Sequence, residues 1–309
     1  MCFPSTGSCA TATYASWALE PVLALSGSMS SLAWRVPDHV KEMVPEHIRR
    51  LLGCSGSQAL VVLRNLHFLD VCAGKARITR WATLGGLQGC AYDRSYGPHM
   101  DMNTDEGLAL ALILLFRVQP GGLLFIAAQC SSWVWISRSR TGRTKENPEG
   151  DYSKPHVAEG NALNSRTALL CTIASAIGAF WVIEQPASSL FFATACMSEV
   201  IARTGAKRVH LWLHDFGHPS KKGTILFGTV PGLENLHPAK VGHSRDAMEK
   251  GKKKKPLPLA SKHVSPDGVR RVTGNKYLHD SQTYPARFAL AVVRHQWPTI
   301  FSLAARQAQ

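Results

Sequence analysis

Apolar and polar positions follow two periods along this chain. Between Pro37 and Cys54, Val40, Met43, Val44, Ile48, Leu51 and Leu52 recur at helical spacing, which predicts a helical lead-in broken by Gly53–Gly56. From Leu66 onward the pattern becomes short apolar runs, each ending on a polar residue, separated by helix-length stretches. Leu66–Val71 predicts a buried strand running into the small-residue turn Cys72-Ala73-Gly74, and Ile78–Leu84 a helix closed by Gly85-Gly86. Gly89–Tyr92 reads as a short strand ended by Asp93. Gly107–Arg117 reads as a helix closed near Pro120-Gly121-Gly122. Leu123–Ala128 predicts a strand ending at Gln129-Cys130, Asn161–Phe180 a long helix, and Trp181–Ile183 a strand ending at Glu184-Gln185-Pro186. Val209–His214 and Thr224–Gly228 flank a turn at Gly217-His218-Pro219 and predict an antiparallel pair.

Alternation of this kind describes an α/β chain with a Rossmann-like, mixed but mostly parallel sheet and helices on both faces. Ligands of such sheets bind outside the carboxyl ends of the strands, and Asp70, Asp93, Cys130 and Glu184 all fall at strand ends. The chain then divides into an unstructured 1–35, a main domain over 36–229, a basic insertion over 230–276, and a C-terminal segment, 277–309. The helix of that last segment, Tyr284–His295, packs back on the core.

Composition narrows the class. With 309 residues, 45% of them hydrophobic, the chain can bury one large α/β core, and 18% charged residues argue against wholesale disorder. No apolar run reaches the ~18 residues of a bilayer span, so no membrane partner is expected. The first residues lack the basic start of a signal peptide and the Arg content of a transit peptide. Eight cysteines form no C-x-x-C pair, which predicts reduced thiols, an intracellular setting and no metal site. His210, His214 and His218 are spaced four apart but fall on strand and turn, not on one helix face.

Charge adds a partner class. Net charge is +14, and Arg203–Lys276 holds 16 Lys and Arg against 5 Asp and Glu, or +11 of it. Such a stripe suits a polyanion, nucleic acid first. It equally describes a solvated basic loop, with Lys252–Lys255 as a nuclear import signal; nucleus and cytoplasm both stay open. The segment Trp133–Arg143 holds Trp133, Trp135, Arg138, Arg140 and Arg143, a composition that stacks on bases and holds phosphates or forms a mobile lid. Lys221 extends that basic set.

The strand-end residues suggest a cofactor. The turn Cys72-Ala73-Gly74 lets backbone approach a ligand closely, Asp93 is placed to accept ribose hydroxyls, and Asp101 an adenine amino group. There is no G-x-G-x-x-G; the turn continues Lys75-Ala76-Arg77. S-adenosylmethionine carries no phosphate and needs no pyrophosphate cradle, which favours a methyl donor over a dinucleotide. For Asp70 alone, a carboxylate capping the next helix is the simpler reading.

Taken in order, these residues resemble the DNA cytosine-5 methyltransferases. Asp70-Val71-Cys72-Ala73-Gly74 is similar to that family's first, cofactor-binding motif, and Gln129-Cys130-Ser131-Ser132 to its Pro-Cys-Gln nucleophile motif. Ile183-Glu184-Gln185-Pro186 is similar to its Glu-Asn-Val motif. Asp215-Phe216-Gly217-His218-Pro219-Ser220-Lys221-Lys222 is similar to its Tyr-Gly-x-Pro-Gln-x-Arg segment. The resemblance implies S-adenosylmethionine held by Asp70, Cys72, Ala73, Gly74, Asp93 and Asp101. It implies Cys130 as the nucleophile that activates cytosine, Glu184 as the acid at ring nitrogen 3, and Lys222 as a contact to base or backbone. The base would leave the duplex stack to reach them. DNA comes before RNA as the implied partner. Only about 45 residues stand where the family has its long target-recognition region, so a partner protein for target recognition is implied as well. Two other readings stay open: a methyltransferase for another substrate with Cys130 a bystander, and a nucleic-acid-binding module without turnover.

Overall fold

The computed structural model describes residues 33–236, 257–266, 268, 270–274, 278 and 282–294. Residues 1–32 of the expected unstructured N-terminus, the run Lys252–Lys255 and His295 lie outside the described residues.

The chain enters through β1 (Ala33–Arg35), α1 (Asp38–Glu42), α2 (Glu46–Leu51) and β2 (Val61–Leu63). Residues 33–35 thus belong to a strand, paired antiparallel with β2, rather than to a structureless tail. The single helix expected over Pro37–Cys54 is two, because Pro45 lacks the amide hydrogen that would continue α1. The apolar face survives the break: Val40, Val44 and Ile48 are all buried.

The main sheet follows as β3 (Leu66–Val71), α3 (Arg77–Leu84), β4 (Gly89–Tyr92), α4 (Asp105–Phe116), β5 (Val118–Ile126), the single turn α5 (Arg138–Thr141), α6 (Pro155–Ala176), β6 (Phe180–Pro186), α7 (Ala195–Thr204), β7 (Lys207–Trp212) and β8 (Gly223–Gly228). Six strands lie in the order β4-β3-β5-β6-β8-β7. β3, β4, β5 and β6 run parallel, and β8 is antiparallel to both its neighbours. The fold is therefore mixed α/β on a six-stranded, mostly parallel sheet. The expected pair of β7 and β8 is present, in the register Val209↔Leu226. Beyond the sheet lie a hairpin, β9 (Ala260–Val264) with β10 (Arg270–Gly274), and a helix, α8, over 286–294. Among the described residues no helix is long and apolar enough to cross a membrane.

Strand side chains alternate between two apolar layers, as the period of two requires. Leu69, Val71, Leu124, Ile126, Trp181 and Ile183 join the layer that holds α4 and α6. Phe68, Leu123, Phe125 and Val182 join the layer that holds α3 and α8. α4 is apolar around its whole girth and correspondingly buried, with Thr104 capping it by accepting from the Gly107 amide at 3.0 Å. That cap starts α4 two residues earlier than expected.

β5, α6 and β6 depart furthest from the bounds that the sequence pattern predicts. β5 begins at Val118 and passes through Pro120-Gly121-Gly122, where a bulge opposite Leu66 and Phe68 absorbs the extra residues. α6 starts at Pro155, whose missing amide hydrogen suits a first helical position, and stops before Gly178 at φ +79°. β6 continues through Glu184 and Gln185, because β8 pairs with both.

Between β3 and β4 the chain moves one way across the sheet; between β4 and β5 it crosses back over β3. The strand order thus reverses at β3 and β5, and the loops leaving their carboxyl ends part to leave a crevice. Gly107 keeps that crevice in shape. Its carbonyl accepts from the Tyr92 hydroxyl at 2.9 Å, and a methyl group on it would run into the Asp101 carbonyl. Gly107→Ala is expected to lower stability by about 1–3 kcal/mol through overpacking. A urea midpoint within error of the parent would remove this role.

Candidate functional site

A cleft of about 380 Å³ opens at the reversal point, over the carboxyl ends of β3, β4, β5 and β6. One wall is the turn Cys72-Ala73-Gly74 with Asp93 and Asp101. The other is Gln129, Cys130, Glu184, Lys222 and Tyr284. Eight residues singled out in sequence therefore share one hollow: Cys72, Ala73, Gly74, Asp93, Asp101, Cys130, Glu184 and Lys222.

The turn after β3 is built under backbone constraint. Cys72 and Ala76 adopt φ of +57° and +48°, a left-handed conformation that side chains with a Cβ resist, and Gly74 sits at +55°. Open space surrounds the position a Gly74 Cβ would take, so backbone there meets the cleft directly. Asp93 fastens the turn: one carboxylate oxygen accepts from the Gly74 amide at 2.9 Å. The other accepts from the Ser95 amide at 2.9 Å and the Ser95 hydroxyl at 2.6 Å. Tyr96 closes the ring by donating to the Gly74 carbonyl at 2.8 Å. Asp101 takes the Asn103 amide at 2.9 Å. The Asn103 side-chain oxygen, also at the cleft, is buried without a hydrogen-bond partner among the described residues. Arg166 from α6 pins this loop through the Met102 and Thr104 carbonyls and the Asp105 carboxylate, each at 2.7 Å.

Asp70 departs from its expected place. It does not line the cleft. It is buried beneath the turn, where one carboxylate oxygen accepts from the Thr79 hydroxyl at 2.7 Å and the Thr79 amide at 3.2 Å. Ala76, the residue at the start of α3, has no side chain for this, so Asp70 caps the helix from the preceding strand. Burial raises its carboxyl to about 7, against the two Thr79 bonds.

The second wall is held by β6. Gln185 donates to the Ala128 carbonyl at 2.6 Å and accepts from the Ser189 hydroxyl at 2.8 Å. Glu184, one residue earlier, points into the cleft. The Tyr284 hydroxyl donates to its Oε2 at 2.9 Å, and the Lys222 ammonium stands 3.7 Å from its Oε1. Burial pushes the Cys130 thiol up; Lys222 opposes that shift and Glu184 adds to it. Cys72 is pushed up to about 12, first by burial and then by Asp93 and Asp70. All six cysteines among the described residues are free thiols.

The four residues assigned to nucleic acid do not share a surface role. Arg143 is a correction: it is buried, donates to the Pro148 and Val157 carbonyls, the Asn161 side chain and the Ser132 hydroxyl, and stacks 3.4 Å above the Trp133 ring. It is a structural post for the loop after Cys130, and Trp133 in turn packs edge-on against Phe191. Arg138 is half-buried and donates to the Ser188 carbonyl at 2.9 Å. Only Arg140 and Lys221 of the four are exposed, Lys221 lying 4.8 Å over the Trp212 ring.

Sequence reasoning missed Tyr284, Gln185 and Asn103. Tyr284 lies 100 residues from Glu184, and no local pattern signals so distant a pair. No protein-family model matches the chain, and no curated protein matches it. The class that the described residues define is thus the mixed α/β fold with a cleft at its strand reversal.

Two outcomes follow from this geometry. In the folded chain Asp70 keeps its proton up to about pH 7, whereas the unfolded chain releases it near pH 4. The folded state then binds more protons across that window, so stability falls as pH rises through it. Asp70→Asn retains an oxygen for both Thr79 bonds and is expected to flatten the thermal midpoint between about pH 4 and 8; an unaltered slope would assign the trend elsewhere. Arg143→Ala is expected to cost about 3 kcal/mol by stranding its acceptors, while Arg140→Ala stays within about 0.5 kcal/mol. Equal urea midpoints for the two variants would contradict the buried role.

Proposed function

We propose that this chain is a Rossmann-like methyltransferase that moves a methyl group from S-adenosylmethionine to a nucleic-acid base, cytosine carbon 5 of DNA first. One observation carries the reading: a turn able to hold an adenosyl group and a thiol–carboxyl–ammonium set line the same cleft. The strand order, with its reversal at β3 and β5, is compatible with that fold.

The residues fit the donor. Gly74 leaves room for it, Asp93 and Asp101 offer acceptors for hydroxyl and amino groups, and the orphaned Asn103 oxygen awaits a donor hydrogen. When bound, S-adenosylmethionine supplies an electrophilic methyl on a sulfonium. Cys130, deprotonated, adds through sulfur to carbon 6 of the base. The ring electrons displaced by that new bond move toward nitrogen 3, where Glu184 receives them by hydrogen bond or proton. Carbon 5 becomes nucleophilic. Once carbon 5 carries the methyl group, its proton would pass to water, the Cys130 sulfur would leave carbon 6 with the bonding pair as thiolate, and nitrogen 3 would return any proton to Glu184, which restores the ring. Lys222 favours the thiolate, since its charge lowers the Cys130 pKa against burial and Glu184.

A second reading has its own observation: burial holds Cys130 as a thiol. In that case another group on the substrate attacks the methyl and Cys130 is a bystander.

Radiolabelled donor offered with DNA, RNA and protein tests both. The expected result is label in DNA, lost in Cys130→Ala and Glu184→Gln. Label surviving in Cys130→Ala selects the second reading, and label in no acceptor rejects methyl transfer. Asp93→Ala is expected to weaken donor binding by about 10- to 100-fold, the equivalent of one or two charge-assisted hydrogen bonds. Calorimetry reads this directly, and an unchanged Kd would remove Asp93 from the cofactor wall.

A further inference from the structure

We propose that Tyr284 is the positioning residue for Glu184: its phenol claims one carboxyl oxygen and leaves the other to meet the substrate. This rests on the methyl-transfer reading of the cleft and adds to it a residue from the far end of the chain.

The Tyr284 hydroxyl donates to Glu184 Oε2 at 2.9 Å. Glu184 Oε1 is buried and has no hydrogen-bond partner among the described residues, with the Lys222 ammonium 3.7 Å away. Both side chains line the cleft. In a protonated carboxyl the carbonyl oxygen is the better acceptor, so a phenol donating to Oε2 favours that oxygen as the carbonyl, and a proton that Glu184 presents to a ring nitrogen is favoured on Oε1. Without the phenol the two oxygens become interchangeable, and the carboxyl is free to rotate toward Lys222.

Tyr284 cannot easily let go. Its ring meets Phe125 edge-on at 6.1 Å and packs against Phe288 of α8 at 5.1 Å. It is held between the sheet and the C-terminal helix, so the hydroxyl has one direction available. Burial and the neighbouring Glu184 keep its own proton on well beyond the ordinary phenol range, and it remains a donor throughout neutral pH. The acid of the cleft is thereby aligned from the segment just before α8, in the apolar layer that Glu184 itself faces. A chain truncated before Tyr284 keeps Glu184 and loses its alignment.

The test is a double-mutant cycle. Tyr284→Phe keeps the ring and both aromatic contacts and removes only the hydroxyl. Alkylation of Cys130 by iodoacetamide at about pH 8, where a few per cent or more of an ordinary thiol is ionised, is followed at that peptide by mass spectrometry. It is measured in the parent, Tyr284→Phe, Glu184→Gln and the double variant, and it needs no methyl donor. The expected result is a change of about threefold or more on removing the hydroxyl from the parent, and almost none on removing it in the Glu184→Gln background. Where transfer is measurable, kcat falls about tenfold in Tyr284→Phe with donor KM unchanged. Replacing Tyr284 with 4-aminophenylalanine, which restores a donor on the same ring, recovers the parent alkylation rate and serves if the Phe variant does not fold. An equal factor in both backgrounds, no change on losing the hydroxyl, or no recovery by the amino ring would overturn the proposal. A parent that transfers no methyl group rejects the reading of the cleft, and the alkylation cycle still decides Tyr284.

Discussion

The second wall of the cleft, which carries the thiol and the carboxyl, depends on one buried amide. Gln185 reaches from β6 to the Ala128 carbonyl at 2.6 Å, in a place without access to water. An unpaired carbonyl there would cost about 1–3 kcal/mol, so the loop after β5 has one low-energy path. That path ends two residues later at Cys130, whose own carbonyl accepts from the Trp133 amide at 3.0 Å. Glu184 precedes Gln185 in the same strand and faces the other layer. The spacing of thiol and carboxyl is therefore set by sheet pairing and one side-chain bond rather than by contact between the two groups.

Charge in the cleft is balanced within a few residues. Glu184 brings a negative charge beside the Cys130 sulfur, which opposes thiolate formation; Lys222 brings the opposing one. Lys222 is delivered by the tight segment before β8, where the Leu213 amide donates to the Lys222 carbonyl at 2.9 Å. The antiparallel strand at the centre of the β6-β8-β7 group thus has a chemical consequence. Running antiparallel, it starts at the carboxyl end of β6, with Thr224 opposite Pro186, so Lys222 just before it stands over the cleft, whereas a parallel strand would start at the far edge.

Much of this architecture is legible from residue pattern alone, and the departures have common causes. The strands β3, β4, β7 and β8 follow from apolar runs with polar ends, because local burial and local periodicity agree there. β5 and α6 depart from the pattern at Pro120-Gly121-Gly122 and at Pro155, where tertiary pairing and first-turn geometry override the usual meaning of proline and glycine. Asp70 and Arg143 show a second cause. Each is a charged residue next to a site, and composition does not reveal that Thr79 or Trp133 has already engaged it. Of three arginines between 138 and 143, one is buried, one is tied to a carbonyl and one is exposed. Tyr284 shows the third cause, since only the fold brings the last helix to β6.

Counting lone pairs sharpens what Asp93 can do for a bound ligand. A carboxylate has about four acceptor positions. Gly74 and Ser95 occupy three of them, two on one oxygen and one on the other. One position remains, on the oxygen that also holds the turn. A ribose offering two hydroxyls thus meets one ready acceptor, and the second hydroxyl must displace the Ser95 side chain or turn elsewhere along the cleft. The Ser95 hydroxyl is the bond most readily exchanged, because its rotation leaves both backbone amides satisfied. Under the methyl-donor reading, Ser95 is then the residue whose movement accompanies binding, while the Asp93–Gly74 bond keeps the left-handed turn at Cys72 in place.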